Sequence, residues 1–211
     1  MGGMMQILPN INNVRVAYMT NGLGGLRSED NIGSLTRIKE AISSVKILGY
    51  EKNQVINCEL PFYYTKTRKI TNDDITKMET ILSNYFVNHL FVCVDRDPKG
   101  THIKCAKLLQ KCRFPDTIKY IWLYKSAWGN WSDNEISSNF EVYISKHNFN
   151  KKLLSIDMHI SQIEPLVIKN KKIESFKDIV KIQNASEKYP GHYQEKFKIL
   201  DLNEFKSINI N

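Results

Sequence analysis

Two spacings of apolar residues alternate along this chain. Val14-Arg15-Val16-Ala17-Tyr18-Met19 reads as a strand that stops at the turn Asn21-Gly22. From Ser34 to Leu48 the apolar positions Leu35, Ile38, Ile42, Val45 and Leu48 recur close to a helical period and mark one helix face, and Gly49 supplies the stop. Val55 to Leu60 is a second strand, halted by Pro61. Asn72-Asp73-Asp74 opens a helix reaching about Phe86, with acids in its first turn. Leu90-Phe91-Val92-Cys93-Val94 is a continuous apolar run, as in a strand covered on both faces.

Further on, Thr101 to about Lys111 predicts a helix and Ile118 to Tyr124 a strand. Phe140 to Ile144 alternates, as at a sheet edge, and Ser145 can cap a helix reaching about Ile160. Phe176 to Ala185 reads as the last helix, and Pro190-Gly191-His192 as a terminal turn. Strand-helix alternation predicts an α/β fold. It is Rossmann-like, with a mostly parallel sheet and helices on both faces. With no repeat and no low-complexity linker, residues 1–211 read as one domain. Ligands in such sheets bind beyond the carboxyl ends of the strands, which points to Thr20–Gly33, Pro61–Lys69, Asp95–His102 and Lys125–Asp133.

Composition changes this picture little. The 211 residues are 42% hydrophobic and 25% charged, ordinary globular values that exclude collagen-like, disordered and disulfide-scaffold chains. No apolar run approaches a membrane span, and the first residues lack a signal-peptide pattern, so a soluble cytoplasmic protein is expected. The net charge of +8 comes from lysines spread among Asn and Ile. No aromatic-basic motif accompanies it, so nucleic acid is not the expected partner. Cys58, Cys93, Cys105 and Cys112 form no CxxC pair and read as buried free thiols. Lys169-Asn170-Lys171-Lys172 reads as a solvated loop.

The densest polar cluster is Asp95-Arg96-Asp97-Pro98-Lys99-Gly100-Thr101-His102, at a strand-to-helix turn. His102 there suits a zinc ligand; equally, Asp97 and Thr101 can cap the helix with His102 solvated. Arg37 can face a substrate or pair with Glu40 one turn on. Trp122, Trp128 and Trp131 offer a sugar-stacking platform, with Trp122 in mid-strand assigned to the core. Asn21-Gly22-Leu23-Gly24-Gly25 can cradle a phosphate.

Asp97-Pro98-Lys99-Gly100-Thr101-His102 resembles the D-P-H-G-T-H element of the LmbE/PIG-L superfamily of zinc-dependent N-deacetylases. Further segments agree in order. They are Val16 to Gly22, Arg37-Ile38-Lys39-Glu40-Ala41 (R-x-x-E-A) with Leu48-Gly49, Leu60-Pro61-Phe62-Tyr63, Trp122 to Trp128 (W-x-Y-x-x-A-W), and His159-Ile160-Ser161-Gln162 (H-x-S-Q). Two of these, L-P-F-Y and W-x-Y-x-x-A-W, are closest to the deacetylase-like part of two-domain glucosamine-6-phosphate deaminase-like proteins.

The resemblance implies hydrolysis of N-acylated amino sugars with zinc as the cofactor, and His102 as the last metal ligand. Lys99 stands at the oxyanion-histidine position, and Arg37, Lys99 and Trp128 are the candidate substrate-binding residues. It also implies a first, central strand and an H-P-D-D element before Met1-Gly2-Gly3, which this chain lacks. On that expectation the domain is truncated at its N-terminus, zinc is weak or absent, no catalytic residue is assigned, and the chain does not hydrolyse amides. Val14–Met19 and Leu90–Val94 would then be exposed edges suited to each other, to a homo-oligomer or to a strand-donating partner. A non-catalytic module for an amino sugar or sugar phosphate, bound through Arg37, Lys99 and the glycine loop, is the alternative.

Overall fold

The structure is a computed structural model. It describes residues 1–8, 13–22, 33–65, 67–94, 97, 100–124, 137–162, 167–168, 171–172, 176–186 and 188–210. Its elements follow the order α1 (Gly2–Ile7), β1 (Val16–Tyr18), α2 (Ser34–Ile47), β2 (Val55–Asn57), α3 (Asn72–Ser83), β3 (His89–Cys93), α4 (Thr101–Lys111), β4 (Tyr120–Tyr124), β5 (Phe140–Ile144), α5 (Lys146–Asp157), β6 (Val167–Ile168), β7 (Lys171–Lys172), α6 (Phe176–Asn184), β8 (Tyr193–Leu200) and α7 (Leu202–Ser207). They form two compact units, one of Met1–Asn57 with Val142–Glu195 and one of Cys58–Glu141 with Lys196–Asn211.

In the first unit β1 and β2 pair in parallel, Val16 opposite Val55 and Tyr18 opposite Asn57. Val45, Leu48 and the fully buried Tyr50 form the core behind them. Gly49 (φ 98°) makes the left-handed turn that ends α2. It returns the Tyr50 N–H to the Val45 carbonyl at 3.1 Å. The Tyr50 hydroxyl then donates to the Met5 carbonyl (2.6 Å), tying α1 to this core.

α1 is also held by Glu195 of β8. Its carboxylate accepts the backbone N–H groups of Gly3 (2.9 Å) and Met4 (2.8 Å) and pairs with Lys152 of α5 at 2.7 Å. Burial alone would raise this carboxyl's pKa. The Met1 ammonium, Lys152 and the Gly3 amide outweigh it and hold the group well below the usual carboxylate range. Lys152 also donates to the side-chain oxygen of Asn184 on α6.

In the second unit the strand order is β3-β4-β8-β5. β4 runs parallel to β3 and antiparallel to β8. α3 packs on α4, and α4 packs on β3 and α7. The L-P-F-Y turn is fixed by the fully buried Asp74, which accepts the Phe62 N–H (2.6 Å) and the Thr71 N–H and hydroxyl (both 2.8 Å) at the start of α3.

The α/β alternation and the edge position of β5 follow the sequence pattern, and several expectations need correction. The four-stranded sheet is mixed rather than mostly parallel, because β8 enters it antiparallel to β4. Phe176–Asn184 is not the last helix and Pro190–His192 is not terminal, since β8 and α7 follow. β3 is not covered on both faces: Val92 is buried but Leu90, Phe91 and Cys93 are partly exposed, as befits a strand paired only with β4 among the described residues. Lys171–Lys172 pairs antiparallel with Val167–Ile168 as β7 and β6. β1 and β3 belong to different sheets.

Candidate functional site

The stripe that periodicity marks on α2 is only part of its buried side. Val45 and Leu48 are buried and Ile38 and Ile42 half-buried, but Leu35 is 71% exposed, and Arg37, Glu40 and Ser44 are buried beside Ala41. Charged residues turn inward only where partners meet them. Glu40 Oε1 accepts the Ser161 backbone N–H at 2.8 Å, and Oε2 accepts the Ser161 hydroxyl at 2.6 Å. Arg37 Nη1 donates to the same hydroxyl oxygen (2.8 Å) and Nη2 to the Gly22 carbonyl (2.8 Å). Nη1 also lies 3.7 Å from Glu40 Oε2, completing an intrahelical pair.

Gly22 is needed at this position on two counts. Its φ is +73°, and a Cβ would come within 3.2 Å of Arg37 Nε. Ser161 sits in the single helical turn Ile160–Gln162 that follows α5. α5 starts where Ser145 accepts the Asn148 N–H (3.2 Å) and ends at Asp157, short of the expected Ile160. His159 is half-buried beside the cluster. Burial pushes its imidazole pKa down, Glu40 pulls it partly back, and Arg37 lowers it again. A polar node thus joins three segments that the sequence shows separately: the Asn21-Gly22 turn, the R-x-x-E helix and the H-x-S-Q turn.

The other candidate lies in the second unit. Asp97 Oδ2 accepts the Thr101 N–H at 3.0 Å and Oδ1 the His102 N–H at 2.8 Å, so this carboxylate caps α4. His102 Nδ1 stands 3.9 Å from Asp97 Oδ1. With both Asp97 oxygens given to the helix, the donor set is poor for zinc. Among the described residues no three His, Cys, Asp or Glu side chains gather closely enough to hold a metal ion. Those residues do not fit a resident zinc. Lys99, Trp128, Trp131 and most of the glycine-rich loop lie outside the described residues. Trp122 is half-buried rather than core, within a ring cluster on the sheet. Cys58, Cys105 and Cys112 are buried free thiols and Cys93 is partly exposed.

No family model matches this chain, and no curated protein does. Solved structures do match. The N,N'-diacetylchitobiose deacetylase of Pyrococcus horikoshii superposes with a TM-score of 0.66 at 21% identity, over 97% of this chain and 79% of the other. A triple mutant of a deacetylase from the teicoplanin biosynthetic pathway gives 0.66 at 14%, over 95% and 91%. The deacetylase of an antimicrobial pseudoaglycone gives 0.63 at 13%, over 94% and 90%. The fold is that of these deacetylases. Identity this low speaks for fold alone. Sequence reasoning named Arg37 and, within the glycine loop, Gly22, but left Ser161 and His159 out of the site. The signal was present in H-x-S-Q, without anything to say what it meets.

Proposed function

We propose that this chain is a deacetylase-type domain for N-acylated amino sugars whose own residues do not complete the hydrolytic metal centre. The observation that carries the reading is the likeness, over nearly the whole chain, to an enzyme described as a diacetylchitobiose deacetylase. The buried node of Arg37, Glu40 and Ser161 fixes the Asn21-Gly22 turn and the H-x-S-Q turn against α2, the kind of rigid support that a binding site needs beneath it. If zinc were bound, it would supply Lewis-acid polarisation of the amide carbonyl and an activated water. Asp97, committed to the start of α4, holds His102 in place rather than standing ready as a ligand or base.

The sugar is neutral in this reading. Arg37 is 6% exposed, its charge is matched by Glu40, and its N–H groups serve Ser161 and Gly22. Arg37 has no uncompensated charge to offer a phosphate, so the sugar-phosphate alternative would have to rest on Lys99 and the glycine loop. Kinship with the deacetylase-like part of glucosamine-6-phosphate deaminase-like proteins is the finer proposal, supported by the L-P-F-Y and W-x-Y-x-x-A-W segments.

Calorimetry with N-acetylglucosamine and glucosamine 6-phosphate, alongside an amine-release assay in added zinc, tests both parts. Heat from the neutral sugar without amine release is expected. Zinc-dependent turnover that disappears in His102→Ala would overturn the incomplete-centre claim. Silence with both sugars at millimolar concentration would overturn sugar recognition.

A further inference from the structure

One face of the second unit's sheet carries a ladder of rings that the Arg37 node does not use. Register places His89 beside Tyr120 and Phe91 beside Trp122. His89 stacks on Tyr120 with centroids 5.3 Å apart and planes 22° from parallel. Trp122 Nε1 donates to His89 Nδ1 at 3.0 Å, fixing the indole against the imidazole. Phe140 of β5 meets Trp122 edge-on at 5.2 Å, and the fully buried Phe197 of β8 closes the row from below at 5.9 Å. The ladder is both rigid and open: Tyr120 is 48% exposed, Phe140 is 40% exposed and His89 is exposed.

Charge decides what can dock there. No lysine, arginine or carboxylate shares this face at the registered positions of β3, β4 and β8. Lys198 pairs instead with the buried Leu123, on the opposite side. At these described positions a polyanion would find rings but no cations, although the chain carries +8 overall. A purely apolar partner would strand the Tyr120 hydroxyl and the imidazole. Flat rings with polar tips match a neutral ligand with apolar C–H faces and hydroxyl edges.

We propose that the ladder of His89, Tyr120, Trp122 and Phe140 is a carbohydrate-docking platform, separate in its residues from the Arg37 node, that stacks the neutral pyranose rings of an N-acyl amino-sugar oligosaccharide. The sugar class rests on the function proposed above, while the platform rests on the ring geometry and its lack of charge.

The probe is the β-1,4-linked tetramer of N-acetylglucosamine, titrated into the labelled full chain and followed by amide chemical shifts. Shifts at residues 89–91, 120–122 and 140 are expected, with affinity falling about fivefold or more in Tyr120→Ala and in Phe140→Ala. Two variants are used so that one failure to fold does not remove the test. Shifts confined to residues 22, 37, 40 and 159–161 would overturn the platform and leave the proposed function standing. Shifts confined to the ladder would do the reverse. Affinity unchanged in both folded variants would overturn the platform, as would a dimer in light scattering that Tyr120→Ala dissolves, because the face would then be a self-contact.

Discussion

Ser161 gives both its backbone N–H and its hydroxyl to the single carboxylate of Glu40, while Arg37 donates to the same hydroxyl oxygen. The three groups balance one another in a buried place, so removing one leaves the others exposed to desolvation. Glu40→Ala strands the Arg37 guanidinium and should cost about 3–5 kcal/mol. Ser161→Ala removes hydrogen bonds without removing a charge and should cost about 1–2 kcal/mol. Urea denaturation of the two variants measures this, and equal losses would contradict the charge argument.

Acid should weaken the first unit in two stages. Folded His159 is held below its ordinary value near 6.5, so as pH falls through that value the unfolded chain takes up a proton that the folded chain resists, and stability declines. Folded Glu195 is held below its ordinary value near 4.5, and the same uptake by the unfolded chain begins there. Glu195→Gln should abolish the second stage at the expense of stability at neutral pH. An imidazole NMR titration of His159 with a midpoint above 6.5 would refute the first.

Gly3 is a packing requirement. A Cβ there would lie 2.2 Å from Ile144 Cδ1. Gly3→Ala should therefore cost about 1–3 kcal/mol despite the better helix propensity of alanine. Gly33→Ala, where a Cβ meets nothing within 4 Å, is the matched control in thermal melts.

Burial pushes the Cys58 and Cys112 thiols up to about 11 and Cys105 to about 12. Thiolate, the reactive form, is scarce at pH 8 for all three. Iodoacetamide should leave them unmodified in the native protein and label them once guanidinium is added. Fast native labelling of Cys105 in peptide mass mapping would contradict its burial.

Much of this fold is legible in the chain because local rules and tertiary packing agree. α4 occupies Thr101–Lys111 as its pattern predicts, and Ser145 caps α5. The expectations that fail do so where buried positions are polar. The inner side of α2 hides Arg37, Glu40 and Ser44 beside the apolar Val45 and Leu48, and β8 buries Gln194 and Glu195, so hydropathy marks only part of the buried side on one and passes over the other. Glu195 is tolerated inside because Lys152 and the amides of α1 come from distant sequence, which no window around residue 195 contains. The site was half legible for the same reason. Resemblance named the segments holding Arg37 and Ser161, but their meeting is a tertiary event.

The late arrival of β8 bears on how the protein is made. Residues 121–124 find their antiparallel neighbours in residues 197–200, so on the ribosome β4 waits for a segment far along the chain to emerge. Such long-range pairing slows folding and prolongs exposure of an unfinished sheet. Synthesis should therefore lean on chaperones until residues 197–200 are released, and a stop codon shortly before Tyr193 should yield insoluble product.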